Sequence, residues 1–277
     1  MTLEDVQQRQ DHRQLAIDEV GISGIRYPVV VWDRQQGKQD TVGEFTMSVD
    51  LAADVKGAHL SRFVEVLHEH AAGEVAPHSV AALVATLRTR LHASRARVEI
   101  GFPFFVRCQA PISGAAALMD YQCTLVGESR HAQFTWSLTV RVPVTSVCPC
   151  SKAISDYGAH NQRGYLTVTV RPATTEVGPA ADIWIDDLID LAEASASAPV
   201  RPLVKRPDER HLTMMAFDNP VFVEDMVRNV ADTLRQDDRV AWFSVEAVND
   251  ESIHNHAAYA RISSATDGSS ASAPGGR

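Results

Sequence analysis

The chain predicts an α+β fold made of two similar halves, each an antiparallel sheet with one face covered by a pair of helices. Two observations carry this. Apolar residues run with period two, change to helical spacing and return to period two, and this order occurs twice. The composition is 45% hydrophobic and 22% charged, ordinary for a globular protein, so 277 residues can bury the core such sheets require. An antiparallel sheet with one apolar face hides it under two helices.

The first strands fall at 26–32 (RYPVVVW) and 44–51 (EFTMSVDL), where β-branched and aromatic residues alternate. Phe63, Val64, Val66 and Leu67 then fit one helix, and Val80, Leu83, Val84, Leu87 and Leu91 a second, with Gly73 and Pro77 between them. Strand patterns return at about 97–108, 119–126, 133–144 and 165–171. Two helices follow at 183–194 and 221–235; Asn219 suits the cap of the latter, Pro220 its first turn, and Phe222, Met226, Val230 and Leu234 its apolar stripe. A strand at 239–248 (RVAWFSVEAV) closes the order. The halves divide as 13–130 and 131–262. Residues 1–12 and 263–277 (ending SSATDGSSASAPGGR) are too polar to offset their ordering entropy, and both ends are expected to be disordered.

A net charge of −9 argues against nucleic acid or an anionic membrane surface as partner, because both call for a basic face. A small phosphorylated ligand remains compatible with a local cationic cluster. The start MTLEDVQQRQDHRQ has no secretory pattern and no apolar run reaches membrane-spanning length, which predicts a cytoplasmic protein. In that compartment Cys108, Cys123, Cys148 and Cys150 are expected as free thiols or metal ligands.

Four stretches concentrate chemistry. SVCPCSKAISDYGAHNQRGY (146–165) sets Cys148 twelve positions before His160, with Tyr157-Gly158 able to reverse the chain between them. With a third ligand the two form an open metal site; a thiol nucleophile and an ordinary turn are the alternatives. LVKRPDERHLT (203–213) reads as a solvated loop between helices, rich in Lys205, Arg206, Asp208, Glu209 and His211. Glu224, beside the stripe of the next helix, is spaced to pair with Arg228. ESIHNHAAYA (251–260) puts His254 and His256 after a strand, on one side of it or astride a turn, and histidine moves protons near neutral pH. At KGAHLSRFVEVLHEH, His59, Ser61 and Arg62 open a helix, where an anion can bind or Ser61 can act as a cap.

Together GIRYPVVVWD, KGAHLSRFVEVL, PVTSVCPCSKAISDYGAHNQRG, LVKRPDE, NPVFVEDMVR and ESIHNHAAYA resemble the bacterial type IB GTP cyclohydrolase I family, in order and spacing, from about residue 10 to 263. The resemblance implies a tunnelling fold: two ββααββ modules per chain, whose sheets close a barrel in a homotetramer with sites between subunits. It implies hydrolysis of GTP to 7,8-dihydroneopterin triphosphate and formate, the first step towards tetrahydrofolate. It makes Cys148, His160 and Glu209 ligands of one divalent metal, zinc, manganese or iron, with water completing the site. Glu224 then anchors the guanine-derived ring, His254 is the general acid/base, and Cys150 is a second polar participant or a supporting thiol. His59, Arg62, Lys152, Arg163, Lys205 and Arg206 are the cations available to the triphosphate, His59 and Lys205 foremost. Asp218 departs from the family, which commonly has glutamate there. Two other readings compete: a deazaguanine nitrile reductase on the same fold, with Cys148 as nucleophile and NADPH as reductant, and a non-enzymatic thiol module for metal or redox sensing.

Overall fold

In the computed structural model the described residues are 7, 9–34, 37–70, 74–131, 133–175, 178–179 and 183–265. The first half contains β1 (Ile17–Asp33), β2 (Gly37–Leu51), α1 (Leu60–His70), α2 (Pro77–Arg90), β3 (Arg95–Gln109) and β4 (Ala116–Arg130). The second opens with β5 (Gln133–Val147), α3 (Pro149–Ile154), β6 (Asn161–Pro172) and the short β7 (Thr174–Thr175) and β8 (Gly178–Pro179). It continues with α4 (Ile185–Ala194), β9 (Ala198–Pro199), α5 (Arg206–Asp218), α6 (Val223–Leu234), β10 (Val240–Asp250) and β11 (Ala257–Ser263).

The long strands make one sheet in the order β1-β2-β3-β4-β5-β6-β10-β11, antiparallel throughout, with β9 added to β5. The ββααββ order of the halves is therefore also their spatial order. They join where Arg130 pairs with Gln133 across the β4–β5 turn. Alternation decides which face is covered. On β5 and β6, Leu138, Val140, Val142 and Val144 and Leu166, Val168 and Val170 point into one core, while the residues between them stay partly or fully exposed. Phe63, Val66 and Leu67 of α1 and Val80, Leu83, Val84 and Leu87 of α2 cover the first half; Leu188, Ile189 and Ala192 of α4 and Met226, Val230 and Leu234 of α6 cover the second. Full burial of one such aliphatic side chain contributes about 1.5–3 kcal/mol.

Several expectations are corrected. Residues 206–218 form α5 and are not a solvated loop, and Asn219 ends that helix, its side chain donating to Ala196 O (2.9 Å) and Ser197 O (3.4 Å), instead of capping the next. Phe222 occupies the cap of α6. At the start, Asp11 N donates to Asp54 O (2.9 Å) and Lys56 N to Arg9 O (3.2 Å), so 9–11 are held against 54–56. Residues 1–6 and 8, from the expected disordered start, and 266–277, from the expected tail, lie outside the described residues, as does Gly73. Among the described residues no helix is long and apolar enough to cross a membrane.

Candidate functional site

The register of β5 and β6 brings Cys148 to His160. The pairing ends at Val147↔Asn161, and the next pair outward is Cys148 and His160, whose backbones still bond (Cys148 N to His160 O, 3.2 Å). Between them the chain makes the one-and-a-half turns of α3, with Pro149 in its first turn and Cys148 at its cap, the sulfur accepting from Ser151 N (3.5 Å). Gly158, at φ +136°, takes a backbone conformation that L side chains rarely adopt, and its neighbour Tyr157 is fully exposed. The return is fixed where His160 N donates to Ser151 Oγ (3.1 Å).

Beneath His160 lies a buried polar group that the motif reading missed. His160 Nδ1 is 2.8 Å from Gln162 Oε1, and Gln162 Nε2 faces Glu251 Oε1 (3.3 Å) and Ser146 Oγ (3.5 Å). Asn249 Nδ2 also donates to Ser146 Oγ (2.9 Å), which donates on to Val221 O (3.2 Å). A carboxylate only accepts, so the Gln162 amide nitrogen faces Glu251 and its oxygen faces His160. In the neutral ring this contact puts the proton on Nδ1 and leaves the lone pair on Nε2. Gly164 makes room for this group: a Cβ there would stand 2.2 Å from Asn249 Oδ1. A signal for the cluster existed. The buried rows of three adjacent strands, Val142-Val144-Ser146, Leu166-Gly164-Gln162 and Val245-Ala247-Asn249, all turn polar at the same end.

The remaining candidates do not close on this pair. Ala216 of α5 is buried against Val147 and Ala159, the sequence neighbours of Cys148 and His160, and against Ala198 of β9. Glu209 lies seven residues earlier, on the same face and about 10 Å further along the axis, exposed. Lys205 caps α5 with an exposed side chain. Glu224 is exposed in the first turn of α6, and Arg228 pairs with Asp225 (3.5 Å), not with it. His254 and His256 both lie within the β10–β11 turn, with stacked rings 5.0 Å apart. Cys150 is exposed on α3. His59 is half-buried before α1. Arg62 donates to Arg90 O (3.4 Å), and Lys152 donates to Phe217 O with its ammonium over the Phe217 ring, so both are engaged. Among the described residues no three His, Cys, Asp or Glu side chains converge. Cys148 and His160 are thus paired through their backbones, a thiol and an imidazole of metal-binding type at one register position, and Glu209 is not gathered with them. An apolar cleft of about 420 Å³ beside Trp32, Trp136 and Trp184 borders none of these residues.

A family model described as type I GTP cyclohydrolase folE2 matches residues 3–260. The chain belongs to the type I GTP cyclohydrolase folE2 family. Curated relatives agree: GTP cyclohydrolase FolE2 of Nitrosococcus oceani is 51% identical over 260 residues, covering 94% of each chain. That of Magnetococcus marinus is 48% identical over 262 residues, covering 95% of this chain and 96% of the relative. Kosmotoga olearia FolE2 is 44% identical over 260 residues, 94% and 98%. Among solved structures, uricase from Arthrobacter globiformis superposes with a TM-score of 0.55 at 13% identity over 98% of this chain and 99% of that one. Urate oxidase from Bacillus sp. TB-90 gives 0.55 at 9% identity over 90% and 100%. At such identities the likeness concerns fold alone, and the fold is the tunnelling fold. For this folE2 chain the ββααββ repeat is therefore its architecture.

Proposed function

We propose that the chain is a type IB GTP cyclohydrolase, which adds water to GTP and yields 7,8-dihydroneopterin triphosphate and formate, the first step of tetrahydrofolate formation. One observation carries the site reading: Cys148 and His160 are joined across the end of β5 and β6, with the His160 ring turned by Gln162 to present Nε2. In this reading Cys148, His160 and Glu209 would hold one divalent cation, zinc, manganese or iron, which would supply a water acidic enough to deliver hydroxide near neutral pH.

The chain's own groups do the rest. The Glu224 carboxylate accepts hydrogen bonds from the guanine N–H groups and fixes the purine's orientation. His254 gives and takes protons as the ring opens and formate leaves, with Cys150 as a second polar participant. Lys205 and His59 neutralise the triphosphate. The enzyme acts in the cytoplasm as a homotetramer whose sheets close a barrel, with sites between subunits. A nitrile reductase with Cys148 as nucleophile gives Glu209 and the free nitrogen of His160 no task, and a thiol sensor gives Glu224 none.

The test strips the protein with chelator, reloads it with Mn²⁺ or Zn²⁺, supplies GTP and follows pterin fluorescence after oxidation. Pterin should form only in reloaded samples; none with any metal would sink the assignment. Cys148→Ala should lose bound metal and turnover together, whereas full metal with no turnover would favour the nucleophile. Glu224→Ala should stay folded and metal-loaded with GTP turnover lost, and near-normal kinetics would refute the anchor.

A further inference from the structure

Asp208 has the least exposed side chain of any Asp or Glu among the described residues. Its Oδ1 accepts from the backbone N–H groups of Ile112 and Ser113, both at 2.8 Å; its Oδ2 accepts from Ser113 Oγ (2.6 Å) and Lys205 N (2.8 Å). Burial pushes the carboxyl up, but these four bonds outweigh it and hold the group well below the usual carboxylate range. An aspartate at this helix position ordinarily reaches back to the cap N–H alone and stays in water. Asp208 makes that bond with one oxygen and turns its other acceptors towards the first half of the chain.

Its partners belong to the β3–β4 turn, which is itself closed by Ala110 N to Ala115 O (2.9 Å) and Gly114 N to Ala110 O (3.1 Å). Helix α5 is thus pinned at two points, by Ala216 against the base of the Cys148 turn and by Asp208 against the other half. Glu209 follows Asp208 and Lys205 precedes it by three. The Glu209 side chain bonds to no other described residue, so its place is set by its helix.

We propose that Asp208 is a positioning residue: by tying the first turn of α5 to the β3–β4 turn it sets where Glu209 and Lys205 stand relative to Cys148 and His160. The inference rests on the metal and triphosphate roles given to those residues above. Two variants probe it from opposite sides. Asp208→Asn turns an NH₂ towards the Lys205 N–H and breaks the helix-side bond. Ser113→Ala removes one bond from the turn side and leaves α5 untouched.

For each full-length protein, Mn²⁺ affinity is measured by electron paramagnetic resonance of the free ion, along with GTP KM, kcat and Tm. Asp208→Asn should weaken Mn²⁺ about tenfold or more and raise KM, with Ser113→Ala smaller in the same direction. A fall in Tm with unchanged Mn²⁺ affinity and KM in both variants would overturn the inference. If Asp208→Asn does not fold, Ser113→Ala decides alone: unchanged affinity and KM overturn it. Variants that match an active wild type remove this inference only; a wild type that neither binds Mn²⁺ nor forms pterin removes the functional reading as well.

Discussion

Replacing Gln162 with leucine isolates what the buried polar group does for His160. The amide is 7% exposed and makes three contacts, of which the 2.8 Å bond from His160 Nδ1 is much the shortest. Leucine removes all three. Ser146 Oγ keeps its donor from Asn249 and its acceptor at Val221 O, so no hydroxyl is stranded. Glu251 Oε2 remains near the ring, but at 3.7 Å from Nδ1 it lies beyond a hydrogen bond and cannot hold the ring as it stands. The stability lost is one good and two long hydrogen bonds, about 1–2 kcal/mol net. The functional loss falls elsewhere. Partners that orient a metal-binding histidine are worth about 10–100-fold in affinity, which is roughly 1.4–2.7 kcal/mol. Competition with a chromophoric chelator should show that weakening in Gln162→Leu. Unchanged metal affinity in Gln162→Leu alongside a lowered Tm would refute the orienting role and leave Gln162 as a structural polar residue.

Two further predictions concern the folded state. Asp186, in the first turn of α4, is buried with Oδ2 lacking a partner, and burial followed by the nearby Asp33 charge raises its carboxyl pKa. A carboxyl whose folded pKa lies above its unfolded one destabilises the ionised fold and is relieved as pH falls through the folded value. Asp186→Asn should therefore gain about 0.5–2 kcal/mol at neutral pH, with the gain shrinking towards pH 4; an equal gain at both pH values in denaturant titrations would contradict the charge argument. Among the thiols, burial pushes Cys123 far up while Cys150 is exposed. A disulfide reagent should label Cys150 quickly in native protein, and Cys150→Ser should remove that fast phase; Cys123 should react only on unfolding, and rapid native labelling of Cys123 would count against its packing.

What was legible in the sequence divides along the same line as the packing. Helices α1, α2, α4 and α6 were readable because each lays an apolar stripe on the sheet, and seven long strands because alternation marks a sheet with one covered face. Helix α5 was not, since of RPDERHLTMMAFD only Asp208 and Ala216 are buried: a helix that touches the core at one small residue and one carboxylate has no apolar period to read. Strand β11 escaped for a related reason, being an edge with no fully buried residue. The Cys148–His160 pairing was half legible. The reversal at Gly158 follows from residue types, but the contact follows from a register fixed along ten paired positions of β5 and β6. The polar support is not legible segment by segment, because Ser146, Gln162 and Asn249 each lie near the end of a different strand. Aligned across the sheet they break the apolar rows of three neighbouring strands together. Burying three polar side chains at one end of a core is costly unless they bond; here Gln162 and Asn249 meet at Ser146 Oγ and Gln162 reaches the ring of His160, while Asn249 Oδ1 has no hydrogen-bond partner.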